Sequence, residues 1–222
     1  FKEVSLAFDA PFYNEVVLRI DGGTESLLVP NSNIVVGKDI SGRHCLKGSL
    51  LKVSFGIEPQ GDKFERLKAR FLALYEANLA DKTCLFSGIK DSLDTLTHAN
   101  IPWGIITNKP AYLAEPLVEL LGLAEQSCVL IGGDTYPQKK PDPYPLLQAS
   151  KLTQVEAKHC IYVGDDERDM IAAKAAGMKS VCAMWGYLSN QDPINWNADY
   201  YVEKSEQLSE FFSSQLDNNF KL

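Results

Sequence analysis

The five cysteines of this chain, Cys45, Cys84, Cys128, Cys160 and Cys182, contain no C-x-x-C pair. Odd in number and scattered, they exclude a disulfide framework and offer no zinc-ligand spacing. Buried free thiols in a reducing, cytoplasmic setting are the expected reading. No apolar run approaches the roughly 20 residues of a membrane span, and no charged-then-apolar leader opens the sequence. The first residue is Phe1 and not Met, so an earlier start is expected. Basic residues never cluster beyond Lys139-Lys140, and the formal net charge is −7. That balance argues against nucleic acid or an anionic membrane as the main partner. Internal repeats and low-complexity segments are absent. What remains is 222 residues, 45% hydrophobic and 23% charged, an ordinary globular composition that fits one large domain or a core with a smaller insertion.

Taken in order, Val4 to Phe8 reads as a short strand ending at Asp9. From Tyr13 to about Val53, glycines, Asn31-Ser32-Asn33 and the patch Ser41-Gly42-Arg43-His44 interrupt the apolar positions, and little can be assigned. From Phe64 the text clears: Phe64, Leu67, Phe71, Leu74 and Leu79 recur at helical spacing with charged residues between them. A second helix is expected from Ile89 to Ala99. After Pro102, strand and helix alternate: W-G-I-I-T-N-K-P, a helix to Gly122, C-V-L-I-G-G-D, a helix around Leu146 to Leu152, then C-I-Y-V-G and a helix from Glu167 to Gly177. S-V-C-A-M-W and Ala198 to Val202 supply further strands before an amphipathic tail helix. Such alternation predicts an α/β fold with a mostly parallel sheet. The compositional shift near residue 85 predicts a helical insertion over 13–85, interrupting a core made of 1–12 and 86–222.

Chemistry concentrates where strands end. In V-G-D-D-E-R-D, Asp165 and Asp169 stand four apart at a strand-to-helix turn, so one helical turn brings them together. Paired carboxylates at that edge suit Mg²⁺, a hard cation that takes one or two of them and keeps water or phosphate elsewhere. Asp166 and Glu167 also read as ordinary first-turn charges favoured by the helix dipole. Thr107 and Asn108 end the strand Ile105-Ile106, where hydroxyl, amide and backbone N–H groups can hold a phosphate, although both residues also serve as helix caps. Lys140, in K-K-P-D-P, precedes a proline-stopped turn that can aim its ammonium inward; alone, it reads as a solvated lysine.

The order and wording of I-I-T-N-K, K-K-P-D-P and V-G-D-D-E-R-D resemble the haloacid dehalogenase superfamily, over Phe64 to about Tyr201. Within it the chain is similar to the phosphoglycolate phosphatase group. W-G-I-I-T-N-K-P, A-E-P-L-V-E-L-L-G-L-A-E and G-Y-L-S-N-Q-D-P-I-N-W-N-A-D are most similar to bacterial N-acetylmuramic acid 6-phosphate phosphatases. The resemblance implies a Rossmann-like core with an inserted helical cap, Mg²⁺ and an aspartyl-phosphate intermediate. It makes Asp9 the nucleophile and a metal ligand, Asp165 and Asp169 the other metal ligands, and Thr107, Asn108 and Lys140 the phosphoryl-binding residues, Lys140 also catalytic.

The departure lies in the first motif. The superfamily has D-x-D-G-T, whose second Asp is the general acid and base, whereas Asp9 is followed by Ala10 and Pro11. Pro11 has no side-chain proton to give, and that catalysis is worth roughly 10²–10⁴-fold. A second match, Ile20-Asp21-Gly22-Gly23-Thr24, would put Arg19 at the nucleophile position and leave the cap short. The first fifty or so residues also read as a damaged version of the family's beginning. The expected function is a Mg²⁺-dependent phosphatase acting on a small phosphorylated metabolite, as monomer or homodimer. Its rivals are a phosphometabolite-binding relative without the acid and, more weakly, a dehalogenase.

Overall fold

The computed structural model describes residues 4–8, 15–20, 26–30, 60–79, 83–186 and 192–219. The chain divides into two compact units, Phe1–Thr83 and Cys84–Leu222.

Among its described residues the first unit holds three strands and a helix. Strands β1 (Val4–Phe8), β2 (Glu15–Ile20) and β3 (Ser26–Pro30) form an antiparallel meander, in which Leu6 faces Leu18 and Val17 faces Leu28. The run expected before Asp9 is therefore a strand, but its described partner is the antiparallel β2. Of the helical insertion expected over 13–85, in which 13–53 offers little to assign, the described residues include the two strands β2 and β3. Their text, E-V-V-L-R-I and S-L-L-V-P, is rich in β-branched and aliphatic residues and flanks Asp21-Gly22-Gly23, which carries hairpin chemistry. Helical text begins later, with α1 (Asp62–Ala77), whose first turn carries Asp62 and Glu65 and which buries Phe64.

The second unit is α/β. After α2 (Ile89–His98), the short strand β4 (Ile105–Ile106) runs into α3 (Ala111–Leu120) and pairs in parallel with β5 (Leu130–Ile131). Helix α4 (Tyr144–Thr153) leads to β6 (Ile161–Gly164), α5 (Glu167–Ala176) and β7 (Lys179–Ala183). Strand β8 (Tyr200–Val202) and the tail helix α6 (Leu208–Asn219) follow. The second ladder, in the order β6-β7-β8, is parallel throughout, with Val163 opposite Val181 and Ala183 opposite Val202.

Small residues let α5 approach the sheet: Ala172 and Ala173 are fully buried and, with Ala176, pack with Leu146 and Met178 against Ile106 and Tyr162. Leu96 of α2 meets Leu208 and Phe212 of α6 in a second cluster, and Met170, Cys182 and Trp196 form a third. Of the thiols expected to be buried, Cys182 is; Cys84 and Cys128 are exposed and Cys160 is half-buried, all four being free. Each exposed thiol sits in loop text, where no packed face covers it. Among the described residues no helix is long and apolar enough to cross a membrane.

Candidate active site

Strands β4 and β6 both deliver their C-terminal ends to one place, where ligands bind in open parallel α/β sheets. The anchor there is Lys140. It is only 8% exposed, because its ammonium turns inward to Asp169 Oδ1 at 2.8 Å, the Tyr162 hydroxyl at 2.7 Å and the Ile106 carbonyl at 3.0 Å. Burial alone would lower its pKa. The Tyr162 oxygen and the Asp169 carboxylate outweigh burial and hold the ammonium charged, above the ordinary lysine range. Burial pushes the Tyr162 hydroxyl up to about 12, so it is a neutral phenol near pH 7.

Asn108 grips the same residue through its backbone, its amide N–H donating to the Lys140 carbonyl at 2.9 Å and its amide oxygen accepting from the Lys140 N–H at 3.1 Å. The loop at the end of β4 and the loop carrying Lys140 are thereby tied together. The Thr107 hydroxyl accepts from the Lys109 N–H at 3.0 Å, a local turn that orders the following residues toward α3. Asp134 accepts from the Ala111 N–H at 2.7 Å and so caps that helix from the neighbouring loop. Burial lowers the Lys109 ammonium to about 8.

The acidic run separates into two jobs. Asp166 caps α5, accepting from the Arg168 N–H at 2.8 Å while the Arg168 guanidinium clamps both its oxygens at 3.1 and 2.8 Å. Asp165 and Asp169 flank that cap, and each lies against a glycine. A Cβ at Gly164 would stand 2.4 Å from Asp169 Cβ, and one at Gly186 would stand 2.2 Å from Asp165 Cβ. The two carboxylates occupy space that side chains at 164 and 186 would fill, and oxygen donors of this kind suit Mg²⁺. Among the described residues no group of three or more His, Cys, Asp or Glu could hold a metal ion.

Thr107 and Asn108 thus follow β4 and Asp165 and Asp169 follow β6, two strands of separate ladders in the second unit, and Lys140 links their ends through Ile106 and Asp169. Asp9 and Pro11 lie outside the described residues. Sequence reasoning passes over Tyr162, Arg168 and Gly186. A phenol inside an otherwise aliphatic strand is the available signal for the first, and an Arg two residues past a cap Asp for the second. Gly186 follows β7 in sequence and meets Asp165 only through the crossover, so its spacing carries no signal.

Residues 46–183, well over half of the chain, match the family described as haloacid dehalogenase-like hydrolase. A phosphoglycolate phosphatase of Xanthomonas campestris pv. campestris (strain 8004) is 50% identical over 147 residues, 66% of this chain and 66% of the relative, which is just under two thirds of its length. An N-acetylmuramic acid 6-phosphate phosphatase of Pseudomonas putida is 36% identical over 169 residues, 76% of each chain. The crystal structure of a predicted phosphoglycolate phosphatase from Haemophilus somnus 129PT superposes with a TM-score of 0.68 over 72% of each chain at 24% identity, a likeness of fold alone. Asp9 lies ahead of the matched span. On the family match and these identities, the chain belongs to the haloacid dehalogenase-like hydrolases.

Proposed function

We propose that this chain is a phosphoric monoester hydrolase acting on a small phosphorylated metabolite of the phosphoglycolate or N-acetylmuramate 6-phosphate type. The observation that carries it is the buried Lys140–Asp169 pair, with Asp165 beside it, at the ends of β4 and β6. A buried ammonium held charged at a ligand-binding edge is placed to neutralise phosphoryl oxygens as charge redistributes in the transition state. The Thr107 hydroxyl, which accepts from the Lys109 N–H, would donate its own proton to the same group, and Asn108 holds the Lys140 backbone in place. Asp165 and Asp169, with Asp9, would hold Mg²⁺, which when bound supplies Lewis-acid stabilisation of the phosphoryl oxygens. Asp9 would attack phosphorus and break its bond to the ester oxygen, the metabolite leaving as an alcohol that takes its proton from water, since Pro11 has none to give; water would then hydrolyse the aspartyl-phosphate to free phosphate and restore Asp9, splitting one hard step into two.

A second reading has specific support: a relative that binds the phosphometabolite without turning it over. Pro11 stands where the family places its acid, and the family match begins only at residue 46. Inorganic phosphate release from phosphoglycolate and N-acetylmuramate 6-phosphate, with Mg²⁺ or chelator, separates the two. Metal-dependent turnover abolished by Asp9→Asn is the expected outcome. Tight binding without release in the unmutated chain would establish the second reading instead.

A further inference from the structure

We propose that Tyr162 is a positioning residue for Lys140, holding its ammonium at the sheet edge and taking over its backbone anchor when the ammonium turns to an anion. The proposal rests on reading Lys140 as a ligand for a phosphoryl group.

Proton accounting leads to it. An ammonium has three N–H groups, and Lys140 directs them to three acceptors: Asp169 Oδ1, the Tyr162 oxygen and the Ile106 carbonyl. The site as it stands leaves Lys140 no N–H for a substrate, so an incoming phosphoryl oxygen must displace one of these. Releasing Asp169 would break the buried ion pair, the charge-assisted and strongest of the three bonds. Releasing Ile106 is different, because its carbonyl accepts twice: from Lys140 at 3.0 Å and from the Tyr162 hydroxyl at 3.0 Å. With the phenol still donating there, Lys140 can turn one N–H away without stranding a buried acceptor. Meanwhile the phenol oxygen keeps its own grip on the ammonium at 2.7 Å. One hydroxyl, accepting from the lysine and donating to the carbonyl, performs both tasks. The ring also packs with Ile106 against the Leu146 cluster in the core, so its place is fixed by packing independent of the hydroxyl.

The test is a double-mutant cycle read by calorimetric titration with inorganic phosphate, on the full chain with Mg²⁺ present. Tyr162→Phe, which keeps the ring, should weaken phosphate binding about tenfold or more, the worth of a hydrogen bond to a charged group. In a Lys140→Met background the same substitution should cost nothing further, because its effect acts through the lysine. If Lys140→Met does not fold, Lys140→Gln takes its place. An equal loss in both backgrounds, or no loss from Tyr162→Phe alone, would overturn the proposal. Should the unmutated chain turn over no phosphate ester yet show the coupled pattern, the hydrolase reading falls and the role of Tyr162 stands. With turnover but an uncoupled cycle, the hydrolase reading stands and the role of Tyr162 falls. A chain that neither binds phosphate nor releases it loses both.

Discussion

At the scale of single residues, adjacent aspartates carry different loads. Asp166 is committed to the α5 cap and to Arg168, so Asp166→Ala should cost about 1–2 kcal/mol of stability, as lost caps do, and leave Mg²⁺ affinity largely intact. Asp165→Asn should do the reverse. Thermal melts beside Mg²⁺ calorimetry would check both, and equal effects of the two changes on metal binding would contradict the division. Gly186 extends the same point. Alanine there drives a methyl to 2.2 Å from Asp165 Cβ, which is not a flexible chain end that can step aside. Gly186→Ala should therefore lower Mg²⁺ affinity about 10–100-fold, the effect typical of residues that orient a ligand from behind. Overpacking should cost about 1–3 kcal/mol as well. Unchanged Mg²⁺ titration in a folded variant would show that Asp165 does not face the metal.

At the scale of elements, the join between β7 and β8 depends on Asp199. Its carboxylate accepts from the Ser180 N–H and hydroxyl, both at 2.9 Å, and from Lys179 at 3.1 Å. Burial pushes its pKa up, but the Ser180 bonds and Lys179 prevail and hold it below its ordinary 3.8. A folded-state pKa below the unfolded one means that the ionised form stabilises the fold at pH above about 3.8 and that this contribution fades as pH falls through the folded value. Urea midpoints of the unmutated chain and Asp199→Asn should differ most at neutral pH and converge as the pH falls through the lowered folded-state value. A gap that persists undiminished in acid would assign the effect to shape and not to charge. The elements themselves are largely legible in the sequence. Helix α5 runs from Glu167 to Ala176 and stops at Gly177, whose φ is 74°, because an acidic start and a glycine stop are written locally. Strands β2 and β3 are not, because Gly22, Gly23 and the polar 31–33 stretch hide two short aliphatic runs whose pairing is set by each other, not by either run alone.

At the scale of the molecule, the three buried clusters draw every member from residues 89–212, so the second unit contains its own core. A fragment of residues 84–222 should accordingly melt in one cooperative transition, followed by circular dichroism. A broad, non-cooperative melt would show that residues before 84 complete that core.

By itself the sequence determined the alternation of strand and helix after residue 100, the α/β class, the family wording and which polar residues follow β4 and β6. Those follow from local chemistry: apolar periodicity, caps, and which side chains can bear charge. The tertiary structure alone decided that Lys140 is buried instead of solvated, because its three acceptors come from β4, β6 and α5, segments distant in the chain. It also decided that Asp166 is a cap and that Gly186 makes room for Asp165. Burial and steric exclusion are properties of what packs around a residue, and parallel crossovers bring those neighbours from far along the chain.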